Sequence, residues 1–171
     1  MNTYKYCFPD FHSIFWACIA MMTLMLAIPF YALLRPCNTP LGSLSHGIVS
    51  FFASEQTLIY FQQQISPRIP IIIKDTSPNF LWCFSLTLFL CLTWKDELSS
   101  KSKSANCMLW IFSPIILCLF WEFAQYSHFV GGQGTLSDWI AGCFATVLAW
   151  LLFKTGIKQD KIEPLFSKGV S

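Results

Sequence analysis

The sequence predicts an all-α membrane protein, with four transmembrane helices and an interfacial helix on the outer leaflet between the first and second. Three observations predict it. The 171-residue chain is 54% hydrophobic and only 12% charged, against about 25% charged in a soluble domain. Four apolar runs each reach the ~17–25 residues that a helix needs to cross the hydrocarbon core. The lysines and arginines are distributed unequally between the two sides that such a layout creates. A water-soluble bundle is a poor alternative, because so short a chain has too little polar surface to wrap four such helices.

The first run, residues 13–34, reads SIFWACIAMMTLMLAIPFYALL. Only Lys5 precedes it as a basic residue, its apolar stretch is too long for the core of a secretory signal, and no small-x-small cleavage site appears before Arg35. It reads as a retained first span. Beyond it, residues 45–64 place Ile48, Phe51, Phe52, Leu58 and Ile59 on one arc at helical spacing, the pattern of a helix lying in the interface. Glu55 falls within that arc, either tilted toward headgroups or joining a polar site beneath. Pro67, Pro70 and Pro78 then break any continuous helix ahead of the second span.

Residues 77–94 (SPNFLWCFSLTLFLCLTW) form the second span and residues 108–125 (MLWIFSPIILCLFWEFAQ) the third, kinked by Pro114. Residues 136–153 (LSDWIAGCFATVLAWLLF) form the fourth, leaving a tail at 154–171. The whole chain is then one four-span domain. With this layout eight lysines lie on the side of the termini and of the 95–107 loop, against Arg35, Arg68 and Lys74 on the other. The positive-inside rule puts both termini in the cytoplasm. All seven tryptophans fall near predicted span ends, as expected of interfacial belts.

The eight cysteines include no C-x-x-C pair, so neither a zinc site nor a redox motif is supported. Cys7 and Cys107 fall on the predicted cytoplasmic side, Cys37 outside, and the remainder within spans as small apolar fillers. The histidines are too scattered for a metal or haem site, and no cofactor is implied. Nothing in the charge pattern points to nucleic acid.

The stretch WEFAQYSHFVGGQGTLSDWIAG is where chemistry concentrates. Glu122 and Gln125 are three apart and share a helix face; Gly131, Gly132 and Gly134 supply a tight return, read as requiring positive φ. Thr135 and Asp138 fit a capping box loosely, so Asp138 can serve as a helix cap. Glu122 has less structural excuse, because a negative charge at a helix C-terminal end is mildly unfavourable, and an ionisable residue in such a position is a functional candidate. The expected ligand-binding set is Glu122, Gln125, Asp138, His128 and Glu55, facing outward, with no catalytic residue assigned.

These residues resemble the VanZ-like family of small four-span bacterial membrane proteins: a glutamate and glutamine three apart at the end of the third span, a glycine-rich turn, and an aspartate opening a fourth span of small residues. The segment SPNFLWCFSL is similar to the opening of the second span in that family, with Asn79 where an aspartate is more usual. The chain departs from the pattern in having GGQG where an arginine often stands, and Gly142 where an asparagine or tyrosine often follows the aspartate. The resemblance implies a multi-pass protein of the bacterial cytoplasmic (inner) membrane, envelope-associated and related to antibiotic-resistance proteins. Its partners would be membrane lipids, a lipid-linked envelope component or another membrane protein. Binding without catalysis is the leading expectation. A membrane enzyme using carboxylate acid/base chemistry is an alternative, but no nucleophile with an adjacent base is visible. A small transporter is the third, against which stands the lack of mid-span charge and of internal repeats.

Overall fold

The computed structural model describes residues 11–34, 40–99, 105–131 and 134–160. Cys7, Cys37, Gly132 and the tail beyond residue 160 lie outside them. In chain order the helices are α1 (Phe11–Leu34), α2 (Pro40–Val49), α3 (Glu55–Tyr60), α4 (Ile71–Thr93), α5 (Lys95–Ser99), α6 (Ala105–Tyr126) and α7 (Leu136–Asp160), with no strand among the described residues. α1, α4, α6 and α7 are each long and apolar enough to cross a membrane. The protein is an α-helical, multi-pass membrane protein.

The region between the first two spans is helical but not one helix. Ser50 turns its hydroxyl back to the Gly47 carbonyl at 2.7 Å, beyond the end of α2. Ser54 adopts an extended conformation and accepts the Thr57 N–H at 3.3 Å, starting α3 afresh. Serine hydroxyls that bond nearby backbone compete with helix continuation, so the 45–64 helix is split at residues 50–54. Phe51 and Phe52 stand exposed on that turn, while Leu58 alone of the expected apolar arc is buried. α3 runs on into a π-helical turn (Phe61–Ile65) and a 3-10 turn (Ser66–Arg68). Gln62 ties this region to the rest, donating to the Ala32 carbonyl at 3.1 Å and meeting His46 Nε2 at 2.9 Å.

α4 starts six residues before the expected second span, at Ile71. Pro67 lies in the 3-10 turn and Pro70 immediately precedes α4, but Pro78 lies inside it, fully buried. Pro78 therefore does not interrupt the helix. Buried in a bundle, a proline within a span loses one backbone bond but is held by neighbouring helices. The shift also moves Trp82 from near a predicted span end to the middle of α4. Trp16 likewise serves the bundle rather than a belt: it is buried and its Nε1–H donates to His12 Nε2 at 2.8 Å. In α6, Pro114 cannot donate to the Trp110 carbonyl. The Ser113 hydroxyl takes over that acceptor at 2.7 Å.

α4 is the central helix. It packs against α1, α6 and α7, and α7 packs against α6 as well. Small residues permit the close approach: Ala20, Ala27 and Ala32 are buried on α1, and Gly142, Ala145, Thr146 and Ala149 on α7. This is how helices associate where lipid tails remove the hydrophobic incentive to do so. The Ser85 hydroxyl donates across to the Ala20 carbonyl at 2.7 Å, a fully buried bond between α4 and α1.

Gly142 marks a tight crossing of α7 with α4 and α6. A Cβ there would lie 2.8 Å from Cys118 Sγ and 3.1 Å from Cys83 Sγ. Gly142→Ala should destabilise the bundle by about 1–3 kcal/mol, the usual cost of overpacking, and Gly142→Val by more. Adding Cys118→Ala to Gly142→Ala should restore part of the loss, since the two sites share one contact. Thermal unfolding in mild detergent measures both effects; equal stability of Gly142→Val and the parent would show that the contact is not close.

Candidate functional site

The carboxylates at the end of the third span do not face headgroups. Glu122 and Gln125 are 6% and 5% exposed, and Asp138 is fully buried. They are buried at the end where α6 hands over to α7, and the partners of Glu122 come from α4 and from the start of α7.

Glu122 is the hub. Its Oε1 accepts from Asn79 Nδ2 of α4 at 2.8 Å, a bond buried on both sides. Its Oε2 accepts from the backbone N–H of Thr135 at 2.9 Å, just ahead of α7. Thr135 in turn accepts the Asp138 N–H on its hydroxyl at 3.3 Å and bonds the Ser137 hydroxyl at 3.0 Å. In an ordinary capping box the carboxylate three residues into the helix reaches back to the capping residue's own N–H. Here Glu122 of the preceding helix accepts that N–H, and Asp138 lies buried in the first turn of α7. Glu122 belongs by sequence to a helix C-terminal end, yet its charge sits at the start of α7, where a helix favours an anion. That reverses the electrostatic objection raised by its place in the chain.

The turn between α6 and α7 shows how the backbone manages this. α6 ends in a Schellman arrangement: Phe129 N–H donates to Ala124 O at 3.0 Å and His128 N–H to Gln125 O at 3.1 Å. The left-handed residue it requires is His128, at φ 59°, the one non-glycine residue with positive φ among those described. His128 is exposed, on the outside of the turn and away from the buried carboxylates. Gly134 does not have positive φ; its role is close approach. A Cβ at Gly134 would overlap the Glu122 carbonyl oxygen and lie 2.8 Å from the Tyr126 backbone nitrogen. Gly131 is exposed at the turn. Glu55 is exposed too, in the first turn of α3, so it complements that helix's N-terminal end and stands outside the buried cluster.

The structure thus brings together Glu122, Gln125 and Asp138 and leaves His128 and Glu55 outside. It adds two residues absent from the expected set, Asn79 and Thr135. Asn79 is 7% exposed and also lines a cavity of about 440 Å³ bounded by α1, α2, α4 and α6. Its signal in the sequence was a lone amide within an apolar run. Among the described residues, no group of three His, Cys, Asp or Glu side chains is placed to hold a metal. The class that fold and site define is a multi-pass helical membrane protein whose buried carboxylate is held by two neighbouring helices. Compared with protein-family models, curated proteins and solved structures, the chain has no significant match.

Removing the Glu122 carboxylate should orphan the buried Asn79 amide, at about 1–3 kcal/mol, and the part-buried Thr135 N–H at a smaller cost. Glu122→Ala should therefore lower stability markedly, and Glu122→Gln less, since the amide oxygen keeps one acceptor. In a double-mutant cycle, Asn79→Leu and Glu122→Leu together should cost less than the sum of the two singles. Additive losses in detergent unfolding would show that the 2.8 Å bond contributes nothing.

Proposed function

We propose that this chain is an envelope-associated membrane protein of VanZ-like type, which binds a lipid or lipid-linked component at the α6–α7 end of its bundle without transforming it. The observation that carries the reading is the double position of Asn79: it donates to the buried Glu122 carboxylate and forms part of the wall of a cavity. A polar side chain held rigid by a buried partner is what a binding site needs to recognise a ligand with little loss of entropy. The cluster faces the interior of the bundle, so Glu122 acts by positioning Asn79 rather than by meeting an outward ligand itself. Glu122 is engaged by protein donors on both oxygens, which favours holding over proton transfer.

Orientation follows the charge asymmetry. In this reading both termini are cytoplasmic, the membrane is the bacterial inner membrane, and the α6–α7 turn faces out.

Two experiments test this. In a Cys37→Ser background, Gln56→Cys on the exposed face of α3 should react with a membrane-impermeant maleimide in intact cells, whereas Glu97→Cys in α5 should react only after the membrane is opened. The inverse pattern would place the cluster on the cytoplasmic side. Native mass spectrometry of the protein released in mild detergent should show a lipid-sized adduct, reduced several-fold by Asn79→Leu. A bare protein would remove the binding reading, and an adduct chemically altered on incubation would replace it with an enzymatic one.

A further inference from the structure

The geometry points to a more specific site: the groove between α1 and α6 takes one acyl chain of a membrane glycerolipid, sideways from the bilayer, with the Asn79 amide donating to the ester carbonyl at the head of that chain. This rests on the lipid-binding reading above and adds where the lipid sits and which part of it is recognised.

Position is the first argument. α1 and α6 both pack on α4 but share no extensive interface with each other, so a strip of α4 is left between them as the floor of the groove. The cavity of about 440 Å³ that results is lined by Leu24 and Ala27 of α1, Asn79 and Trp82 of α4, and Leu117 and Phe120 of α6, among others. Such a volume is within the ~300–1,000 Å³ of small-molecule sites. Ser45 of α2 also borders it, so α2 lies over the end toward the interface. Leu117 and Phe120 are half or more exposed on the α6 flank, where the groove meets the surroundings of the bundle.

Depth is the second. Asn79 is eight residues into α4, about 12 Å along the helix at ~1.5 Å per residue. Trp82 lies at the middle of α4 and Leu24 near the middle of α1. The groove therefore runs from the bundle's middle toward one end, below the headgroup layer of a bilayer whose hydrocarbon core is ~30 Å thick. Asn79, about one turn past the charged Lys74 and Asp75 of α4, stands at the groove's outer limit, where the ester carbonyls of a glycerolipid lie, and what is available further in is lipid chain.

Chemistry is the third. Among the described residues, no Lys, Arg, Asp or Glu side chain lines the cavity, so a phosphate would meet no counter-charge from them. The uncharged Asn79 amide spends one N–H on Glu122; a carboxylate partner requires that this be the nitrogen, which fixes the orientation of the amide. Its second N–H remains for a ligand. A polar donor at hydrocarbon depth is costly without an acceptor, and the acceptor that a glycerolipid carries at the top of each chain is an ester carbonyl.

The test uses the full chain in vesicles of phosphatidylethanolamine and phosphatidylglycerol, in which either lipid in turn carries a photoactivatable diazirine on its acyl chain. After irradiation, labelled peptides are mapped. Labelling of the Ala27 and Leu117 segments should exceed that of the exposed Leu151 and Leu152 on α7 several-fold, with both lipids alike. Leu117→Trp, at a half-exposed position that tolerates bulk, should narrow the groove and bring its labelling down to the α7 level, as should Ala27→Trp if that variant folds. Asn79→Leu should reduce groove labelling several-fold while leaving α7 unchanged. Groove labelling no stronger than that of α7, or unaffected by Leu117→Trp, would overturn the groove. Labelling with phosphatidylglycerol alone would overturn chain recognition in favour of the headgroup. A lipid adduct seen by mass spectrometry together with an unlabelled groove would sink this site and leave the lipid-binding reading standing.

Discussion

The end of the α4–α6–α7 core nearest the α6–α7 turn depends on one buried carboxylate. Burying a charge away from water is expensive unless hydrogen bonds replace its hydration. Glu122 receives such bonds from a side chain on α4 and a backbone N–H at the start of α7. Each bond crosses between helices, so the requirement to satisfy one group fixes the relative height of three. The turn after α6 is constrained by the same requirement: Thr135 can reach Glu122 only because Gly134 lies directly on the backbone of α6 with no Cβ in the way. His128 in the left-handed region reverses the chain early enough to allow it.

Below this polar level the bundle changes character. Between α4, α6 and α7 glycine, alanine, threonine and cysteine interleave with Phe84, Leu88 and Ile111, and Gly142 is wedged between two thiols. Cysteine contributes here as a compact apolar side chain; Cys83, Cys91, Cys107 and Cys118 are all buried and none is in a disulfide. At the opposite end of the bundle aromatic packing takes over. His12 accepts from Trp16, and both rings lean on Phe153. Gly156 makes room for the imidazole there, because a Cβ at that position would overlap His12 Nε2.

The arrangement around α4 is lopsided, and the cavity follows from that. Where α6 and α7 pack on each other as well as on α4, the end at their turn is closed and the carboxylates are buried. Where α1 and α6 flank α4 without joining, the end stays open laterally and Asn79 stands at the boundary. One residue thus belongs both to the closed polar cluster and to the open groove.

The sequence by itself determined the class and most of the layout. Four apolar runs of spanning length can bury their backbones in a bilayer only as helices; α1, α6 and α7 cover their predicted runs, and α4 covers its own up to Thr93, with Trp94 as the cap. The third span's face was legible too, since a spacing of three puts Glu122 and Gln125 together whatever surrounds them. Helix starts were less legible: Pro78 reads as a breaker in isolation, and only packing against neighbouring helices lets α4 run through it from Ile71. The serines at positions 50 and 54 look unremarkable until their hydroxyls are seen bonding local backbone in place of helix continuation. The site needed the tertiary structure most. Whether a carboxylate near a span end faces headgroups or a neighbouring helix depends on which helices stand beside it, and periodicity along one helix carries no such information. Asn79 and Glu122 are forty-three residues apart in the chain, so their bond, and the groove that opens beside it, exist only once α4 is set between α1, α6 and α7.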